Sequence, residues 1–388
     1  MKQIIYDVVK KFQELYQTQP RIFCCPGRVN LIGEHTDYNE GYVLPMLINN
    51  ATYLAIAPRQ DNKINIYSFQ ETQSVTLNIE QPFIFKKNVW TNYVEGILRL
   101  LKSKNHAILG ADVVVHSDIP LGAGLSSSAA FEISVGYAFL SLAGSTNIDR
   151  VELALLGQKA EHEFVGTKCG IMDQLVCATG KENHALFIDC KTLATENVPF
   201  ASDEYSIVVC NSMVKHALAT SEYNTRRAEC EKGIELLKEK MNSIQSLRNV
   251  TEDDFTKYSS HLPSVIKKRC AHVISENSRV LRAIAALKVG KMDEFGKLMI
   301  ESHESLKNDY AVSCHELDIL VEIALKLEGV LGARMTGGGF GGCVIALVKN
   351  EYIDTFKSNI AKLYSEKTSI QPDLFVAKCH SSVNEIKI

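Results

Sequence analysis

Within residues 26–38 the chain sets Arg28, Asn30, Glu34, His35, Thr36 and Asp37 among Gly27, Val29, Leu31, Ile32 and Gly33. Such a density of charged and amide groups suits a small polyhydroxylated ligand, because each ligand hydroxyl asks for both a donor and an acceptor. A solvated loop would show similar polarity, and a lone histidine is more often structural than functional. The interleaved glycines and apolar residues argue instead for a partly buried segment.

A second cluster, residues 120–130, reads Pro-Leu-Gly-Ala-Gly-Leu-Ser-Ser-Ser-Ala-Ala. Glycines let the backbone turn tightly and approach an anion, and the free N–H groups and dipole of a helix start favour phosphate there. The serine hydroxyls add donors, and one of them can ligate magnesium. Taken alone, the segment is equally a helix N-cap with a flexible lead-in. A Walker-type cradle is absent: Lys181, Lys291 and Lys297 each follow a glycine, but none precedes Ser or Thr. No His-Arg-Asp signature of a protein kinase occurs either.

Residues 337–342, Gly-Gly-Gly-Phe-Gly-Gly, formally satisfy the dinucleotide pattern, but the apolar run from Cys343 to Val348 reads as a strand where that pattern requires a helix. A Rossmann site is therefore rejected. The choice is between a glycine-rich hairpin turn and a loop pressed against a ligand, and five glycines in six residues favour the second.

Periodicity supplies the elements that must hold these clusters. Helices are expected at 4–16, 93–101, 127–143, 151–163, 222–241, 264–286, 292–306 and 315–326, and strands at 22–25, 52–57, 64–68, 75–79, 111–116, 185–188, 207–210, 344–348 and 374–378. The turn-rich stretch around Pro199 marks a domain boundary, and 388 residues favour two domains with a ligand cleft between them. A net charge of −3 offers no basic field for nucleic acid or an anionic membrane. No apolar run approaches the roughly 18 residues of a membrane span, and the first residues lack the apolar core of a signal peptide. Eleven scattered cysteines without a C-x-x-C pair suggest reduced thiols in the cytosol rather than disulfides or a zinc site.

Together the three clusters resemble the GHMP family of small-molecule kinases. Further similarity runs through Glu161-His162, residues 169–174, Ser221-Glu222-Tyr223 and residues 334–337, so it covers nearly the whole chain. The stretch from Gly27 to Tyr38 is similar to the sugar signature of the branch that phosphorylates galactose. The resemblance implies an α+β, two-domain fold: an amino-terminal domain over 1–200 with a βαβ unit of left-handed crossover, against the general rule, and a ferredoxin-like carboxy-terminal domain over 201–388. The active site would lie in the cleft between them.

Roles follow from the same resemblance. Gly122, Ala123, Gly124, Leu125, Ser126, Ser127 and Ser128 would wrap the phosphates of ATP, with Ser68 near the nucleotide, and Ser128 and Glu161 would hold Mg2+. Asp173 would accept the proton of the anomeric hydroxyl with Arg28 beside it. Glu34, His35, Thr36, Asp37, Gly170, Asp173 and Tyr223 would line the sugar site. The implied reaction moves the γ-phosphoryl group of ATP onto the anomeric hydroxyl of galactose, the opening step of its breakdown, in a cytoplasmic monomer with no nucleic-acid or membrane partner. Cys25 and Glu40 depart from the family's usual residues, and neither touches an assigned role. An N-acetylgalactosamine kinase would need extra room beside the second sugar carbon, and Thr36 fits the galactose pattern better. A non-catalytic galactose sensor is disfavoured by the intact serine run together with Asp173 and Arg28.

Overall fold

The computed structural model describes residues 3–86, 89–200, 203–214 and 219–387. The strands are β1 (Arg21–Asn30), β2 (Tyr42–Val43), β3 (Pro45–Pro58), β4 (Ile64–Ser68), β5 (Gln73–Leu77), β6 (Ala111–Ser117), β7 (His184–Asp189), β8 (Thr195–Pro199), β9 (Tyr205–Asn211), β10 (Val330–Thr336), β11 (Cys343–Lys349), β12 (Asp373–Ala377) and β13 (Asn384–Ile386). The helices of the first half are α1 (Gln3–Tyr16), α2 (Thr91–Ser103), α3 (Ser127–Leu142), α4 (Arg150–Ala160) and α5 (Met172–Thr179). Those of the second are α6 (Ala219–Lys238), α7 (Glu252–Tyr258), α8 (Ser264–Lys288), α9 (Met292–Ser305), α10 (His315–Ala324) and α11 (Ile353–Thr368).

Among the described residues a nine-stranded sheet runs in the order β13-β1-β3-β6-β4-β5, with β2, β7 and β8 branching from β3. Its β4 and β6 are parallel, and α2 lies on the crossover that a parallel pair requires. Strands β9 to β12 form a second, antiparallel sheet in the order β10-β11-β9-β12. With helices between β9 and β10 and α11 between β11 and β12, this is the expected ferredoxin-like connectivity. The chain passes from the first sheet to the second after Pro199, and residues 201 and 202, beside the expected boundary, lie outside the described residues. Near its end the chain comes back, and β13 pairs with β1.

Period-two alternation explains how the second sheet is buried on both faces. Ile207 and Val209 of β9 join the core that also holds α3 and α5, whereas Val208 and Cys210 join a second core with α10 and α11. The apolar stripe of α1, with Ile5, Val8 and Phe12 buried, covers the other side of the first sheet. Helix α3 is apolar on nearly every side, as befits a buried element.

Periodicity did not reveal α5, α7, α11, β2, β8, β10 and β13, and α5, α11 and β10 show why. Helix α5 has only eight residues between Gly170 and Gly180, too few for a helical period to stand out. Helix α11 buries only Phe356, Ile360 and Tyr364. Strand β10 carries Gly332 and Arg334, which dilute a strand pattern, yet its last five residues are buried.

Helix α9 crosses β10 where Gly296 meets Leu331 and Gly332, and a Cβ on Gly296 would overlap the carbonyl of Leu331. Helix propensity alone would make Gly296→Ala stabilising by about 1 kcal/mol. The backbone contact opposes it, and the variant is expected to lose roughly 1–3 kcal/mol, read as a lower urea midpoint with an unchanged slope.

Candidate active site

The strand that delivers the first cluster is interrupted where it matters. β1 pairs with β3 through a register shift between Pro26 and Arg28, the irregularity expected where proline removes a ladder donor and one that re-aims the next side chain. Arg28, only 4 % exposed, directs Nε and Nη2 to the two carboxylate oxygens of Asp173, each at 2.8 Å, and Nη1 to the carbonyl of Gly124 at 2.7 Å. Its own backbone N–H donates to the carbonyl of Leu125. Gly27 permits this approach, since a Cβ there would lie 2.5 Å from that carbonyl. Burial works against the Arg28 charge, but Asp173 and Glu34 outweigh it and hold its pKa above the ordinary value. One guanidinium thus fixes the serine-rich loop relative to Asp173, which sits in the first turn of α5.

Around Asp173 a pocket of about 280 Å³ is walled by Arg28, Glu34, His35, Asp37, Glu161, Gly170 and Tyr223, with Gly337, Gly338 and Gly339 closing one side. Helix α8 of the second half clamps the loop that carries the polar wall. His272 Nε2 lies 3.1 Å from the carbonyl of Glu34, Glu276 accepts from the Gly33 N–H at 3.0 Å, and Asn277 accepts from the Tyr42 N–H at 2.9 Å. Glu34 accepts from the Gly337 N–H at 2.6 Å and from the amide of Asn30, with Arg334 3.5 Å away. Burial raises the Glu34 pKa, against the pull of Arg334 and Arg28. Burial lowers the His35 imidazole to about 3, so the ring is neutral. Burial, and then the nearby Asp173 carboxylate, raise Asp37 to about 7.

The serine-rich loop turns through positive φ at Gly122, Gly124 and Ser126. Ala123 and Leu125 anchor it in the core, and the hydroxyl of Ser126 is buried with no partner among the described residues. An unpartnered hydroxyl beside the open N–H groups of α3 suits an anion. Ser127 and Ser128 line a second pocket of about 210 Å³ with Ser68, Gln70, Trp90, Tyr93, Leu121 and Phe131. Aromatic faces edged by hydroxyls and an amide suit a planar heterocycle. Tyr93 and Ser128 belong to both pockets, which therefore meet at the start of α3.

Glu161 opens a π-helical turn, Glu161–Val165, that ends α4 and stops at Gly166 with φ 93°. This irregularity leaves Glu161 on the wall of the first pocket; burial raises its pKa, and the neighbouring Cys169 and then Ser128 side chains lower it. A hydroxyl and a carboxylate side by side are hard oxygen donors of the kind magnesium takes alongside phosphates.

Several sequence expectations are placed differently. Thr36 is not on the wall of either pocket: its hydroxyl lies 2.8 and 2.6 Å from the carbonyls of Gly33 and Tyr42, and it is fully buried. Its short polar side chain serves the turn, a use that spacing does not separate from ligand binding. The glycine run at 337–342 is the connection between β10 and β11 and also a pocket wall. Its glycines are demanded largely by protein: a Cβ on Gly337 would meet Gly124, on Gly342 Ala123, and on Gly341 Val214. Trp90, Tyr93, Phe131 and Gln70 had no place in the sequence reading, although a lone tryptophan just before a helix was a legible cue.

A serine-rich helix start flanked by two pockets, backed by a ferredoxin-like sheet, defines the GHMP class of small-molecule kinases. Residues 92–181 match the GHMP kinases N terminal domain, residues 283–366 the GHMP kinases C terminal, and residues 10–58 the galactokinase galactose-binding signature. A galactokinase of Chloroflexus aurantiacus is 45 % identical over 93 % of this chain and 93 % of its own. The crystal structure of Lactococcus lactis galactokinase complexed with galactose superposes with a TM-score of 0.94 at 36 % identity, covering 99 % of this chain and all of the other. The mevalonate kinase of Methanococcus jannaschii shares the fold, with a TM-score of 0.63 at 23 % identity over 94 % and 100 % of the two chains. The chain belongs to the galactokinase family.

A Cβ on Gly170 would fall inside van der Waals contact of the Asp37 carboxylate. In ligand-free wild type, carbon-detected NMR is expected to show an aspartate titrating near pH 7 that vanishes in Asp37→Asn. Gly170→Ala should move that midpoint toward the ordinary range near 4 by displacing Asp37 from its pocket.

Proposed function

We propose that this chain transfers the γ-phosphoryl group of ATP to the anomeric hydroxyl of galactose, giving galactose 1-phosphate and ADP. The observation that carries the reading is the Arg28–Asp173 pair, tied through Gly124 to the serine loop and facing the same pocket as His35 and Asp37. The adenine ring is assigned to the Trp90 pocket and the phosphates to the start of α3. Galactose is assigned to the pocket around Asp173. Free thiols at the cysteines support a reducing cytoplasm. No helix among the described residues is long and apolar enough to cross a membrane.

An ionised Asp173 accepts the hydroxyl proton as the sugar oxygen attacks phosphorus. The bidentate grip of Arg28 holds that carboxylate in one orientation, and only the guanidinium N–H groups not engaged by Asp173 or the Gly124 carbonyl are left to stabilise charge on the phosphoryl oxygens. Much of the rate then comes from positioning, as phosphoryl transfer needs little covalent help from protein. Ser128 and Glu161 would hold Mg2+, which supplies neutralisation of phosphate charge when bound. Asp37 accepts hydrogen bonds from adjacent sugar hydroxyls, including the axial one, so that glucose leaves a buried acceptor unpaired.

Galactose but not glucose is expected to support ADP release, with phosphorus NMR placing phosphate on the anomeric oxygen; phosphate on the primary hydroxyl would refute the assignment. Ionised, Asp37 accepts through both oxygens in charge-assisted bonds that protonation weakens, and its pKa is raised to about 7. The KM for galactose should therefore fall as pH rises from 6 to 8, by up to roughly tenfold, and Asp37→Asn should flatten that profile. Asp173→Asn preserves shape but loses the proton acceptor, so single-turnover rate should drop by about two to four orders of magnitude while ATP and galactose still bind. A structural ion pair would instead show as lost thermal stability with a normal rate in the folded fraction. Glu161→Ala and Ser128→Ala should raise the magnesium requirement more than the galactose requirement, measured by titrating each in turn.

A further inference from the structure

Behind the wall of the galactose pocket runs a chain of buried hydrogen bonds that the phosphoryl-transfer steps do not use. His35 Nδ1 lies 2.8 Å from the hydroxyl of Tyr38, that hydroxyl 2.7 Å from the hydroxyl of Tyr310, and the latter 3.1 Å from Cys230 Sγ. Tyr310 comes from a second π-helical turn, Leu306–Tyr310, and Cys230 from α6, so three separate segments meet here. Tyr310 is fully buried and Cys230 almost so. The His35 ring packs against Tyr310 and Tyr223, with centroids 4.8 and 5.4 Å apart, which fixes its plane. Its other nitrogen, Nε2, is buried without a hydrogen bond among the described residues, and His35 lines the pocket.

Only two proton orders run through the whole chain. In one, Nδ1–H donates to Tyr38, Tyr38 to Tyr310 and Tyr310 to sulfur, a weak acceptor, with the Asn39 side chain as the other neighbour of the thiol. In the other, Cys230 donates to Tyr310, Tyr310 to Tyr38 and Tyr38 to Nδ1, so that every hydrogen finds a strong acceptor. Nε2 then carries the proton, on a residue that lines the pocket. We propose that Cys230, Tyr310 and Tyr38 form an ordered relay that fixes His35 as the Nε2–H tautomer, making His35 a hydrogen-bond donor to an oxygen of the bound sugar. Tyr38, Tyr310 and Cys230 are positioning residues in this scheme, acting through His35. Burial supports it, holding the imidazole neutral and both phenols protonated. With Asp37 able only to accept when ionised, the relay gives the pocket one committed donor beside one committed acceptor.

The inference rests on the sugar-kinase reading for its ligand, but its first test needs no ligand. Long-range nitrogen–proton NMR on histidine-labelled, ligand-free protein reports the tautomer directly, with the His35 signals assigned by their loss in a His35→Asn variant. Wild type is expected to show Nε2 protonated and Nδ1 accepting; the reverse pattern overturns the proposal. Tyr310→Phe breaks the order one step from the ring, and is expected to broaden the tautomer signature and raise the galactose KM roughly three- to tenfold, as loss of a buried hydrogen bond does, with little change in kcat or in the KM for ATP. Cys230→Ser, whose hydroxyl donates in the same direction, should keep the wild-type tautomer and KM, whereas Cys230→Ala should move both toward Tyr310→Phe. Indistinguishable Ser and Ala variants would overturn the relay even where Tyr310→Phe fails to fold. If galactose is not phosphorylated while the NMR pattern stands, the proposed reaction fails and the relay does not.

Discussion

Burying Arg28 removes a full charge from water, which is tolerable only where a carboxylate and carbonyls replace its lost hydration. Asp173 supplies the carboxylate and Gly124 a carbonyl. Because those partners lie on α5 and on the loop before α3, one desolvated guanidinium ties the first strand to a short helix and the serine-rich loop. The bulge at Pro26 and the missing side chain of Gly27 make room for the arrangement. Much of the remaining layout consists of ways to keep these segments where the cation holds them.

A second buried cation performs the corresponding task between the two halves. Arg334 of β10 is fully buried and donates to the carbonyl of Asn30, at the end of β1, at 3.0 Å. The Thr336 hydroxyl lies near both the carbonyl and the N–H of the same residue. Glu34 turns toward Arg334 and the Gly337 N–H, so part of its hydrogen-bonding capacity is spent inside the protein. Together with the clamp from α8, these bonds make the sugar loop a product of both halves, with little freedom left to the loop itself. Removing either partner of such a pair would strand a charge in a low-dielectric interior.

Local irregularity delivers function repeatedly in this fold. One π-helical turn presents Glu161 to the pocket and another sets Tyr310 behind it. Ser126 and His35 adopt positive φ without being glycine. Each departs from regular geometry at a place where packing from other segments holds it, which is how such conformations persist.

Chemistry and local periodicity were legible in the sequence. The residue types at 27–38 and 122–128 suited a polyol and an anion, and strands such as β4 and helices such as α1 and α9 follow patterns of two and 3.6 that depend only on neighbouring residues. The resemblance then joined Asp173, Glu161 and Tyr223 to those clusters. Tertiary structure decided which of those polar groups face the pocket. Thr36 and His35 are adjacent in sequence, yet one is consumed by backbone carbonyls and the other lines the pocket. It also decided that α8 clamps the sugar loop, that Trp90 faces the serine helix start, and that Cys230, Tyr310 and Tyr38 line up behind His35. The Thr36 bonds are local, to carbonyls three and six residues away, and there the turn geometry decides; the other partnerships and the desolvation are set by segments far apart in the chain, 238 residues in the case of His272 and Glu34, and no local period encodes where those segments meet.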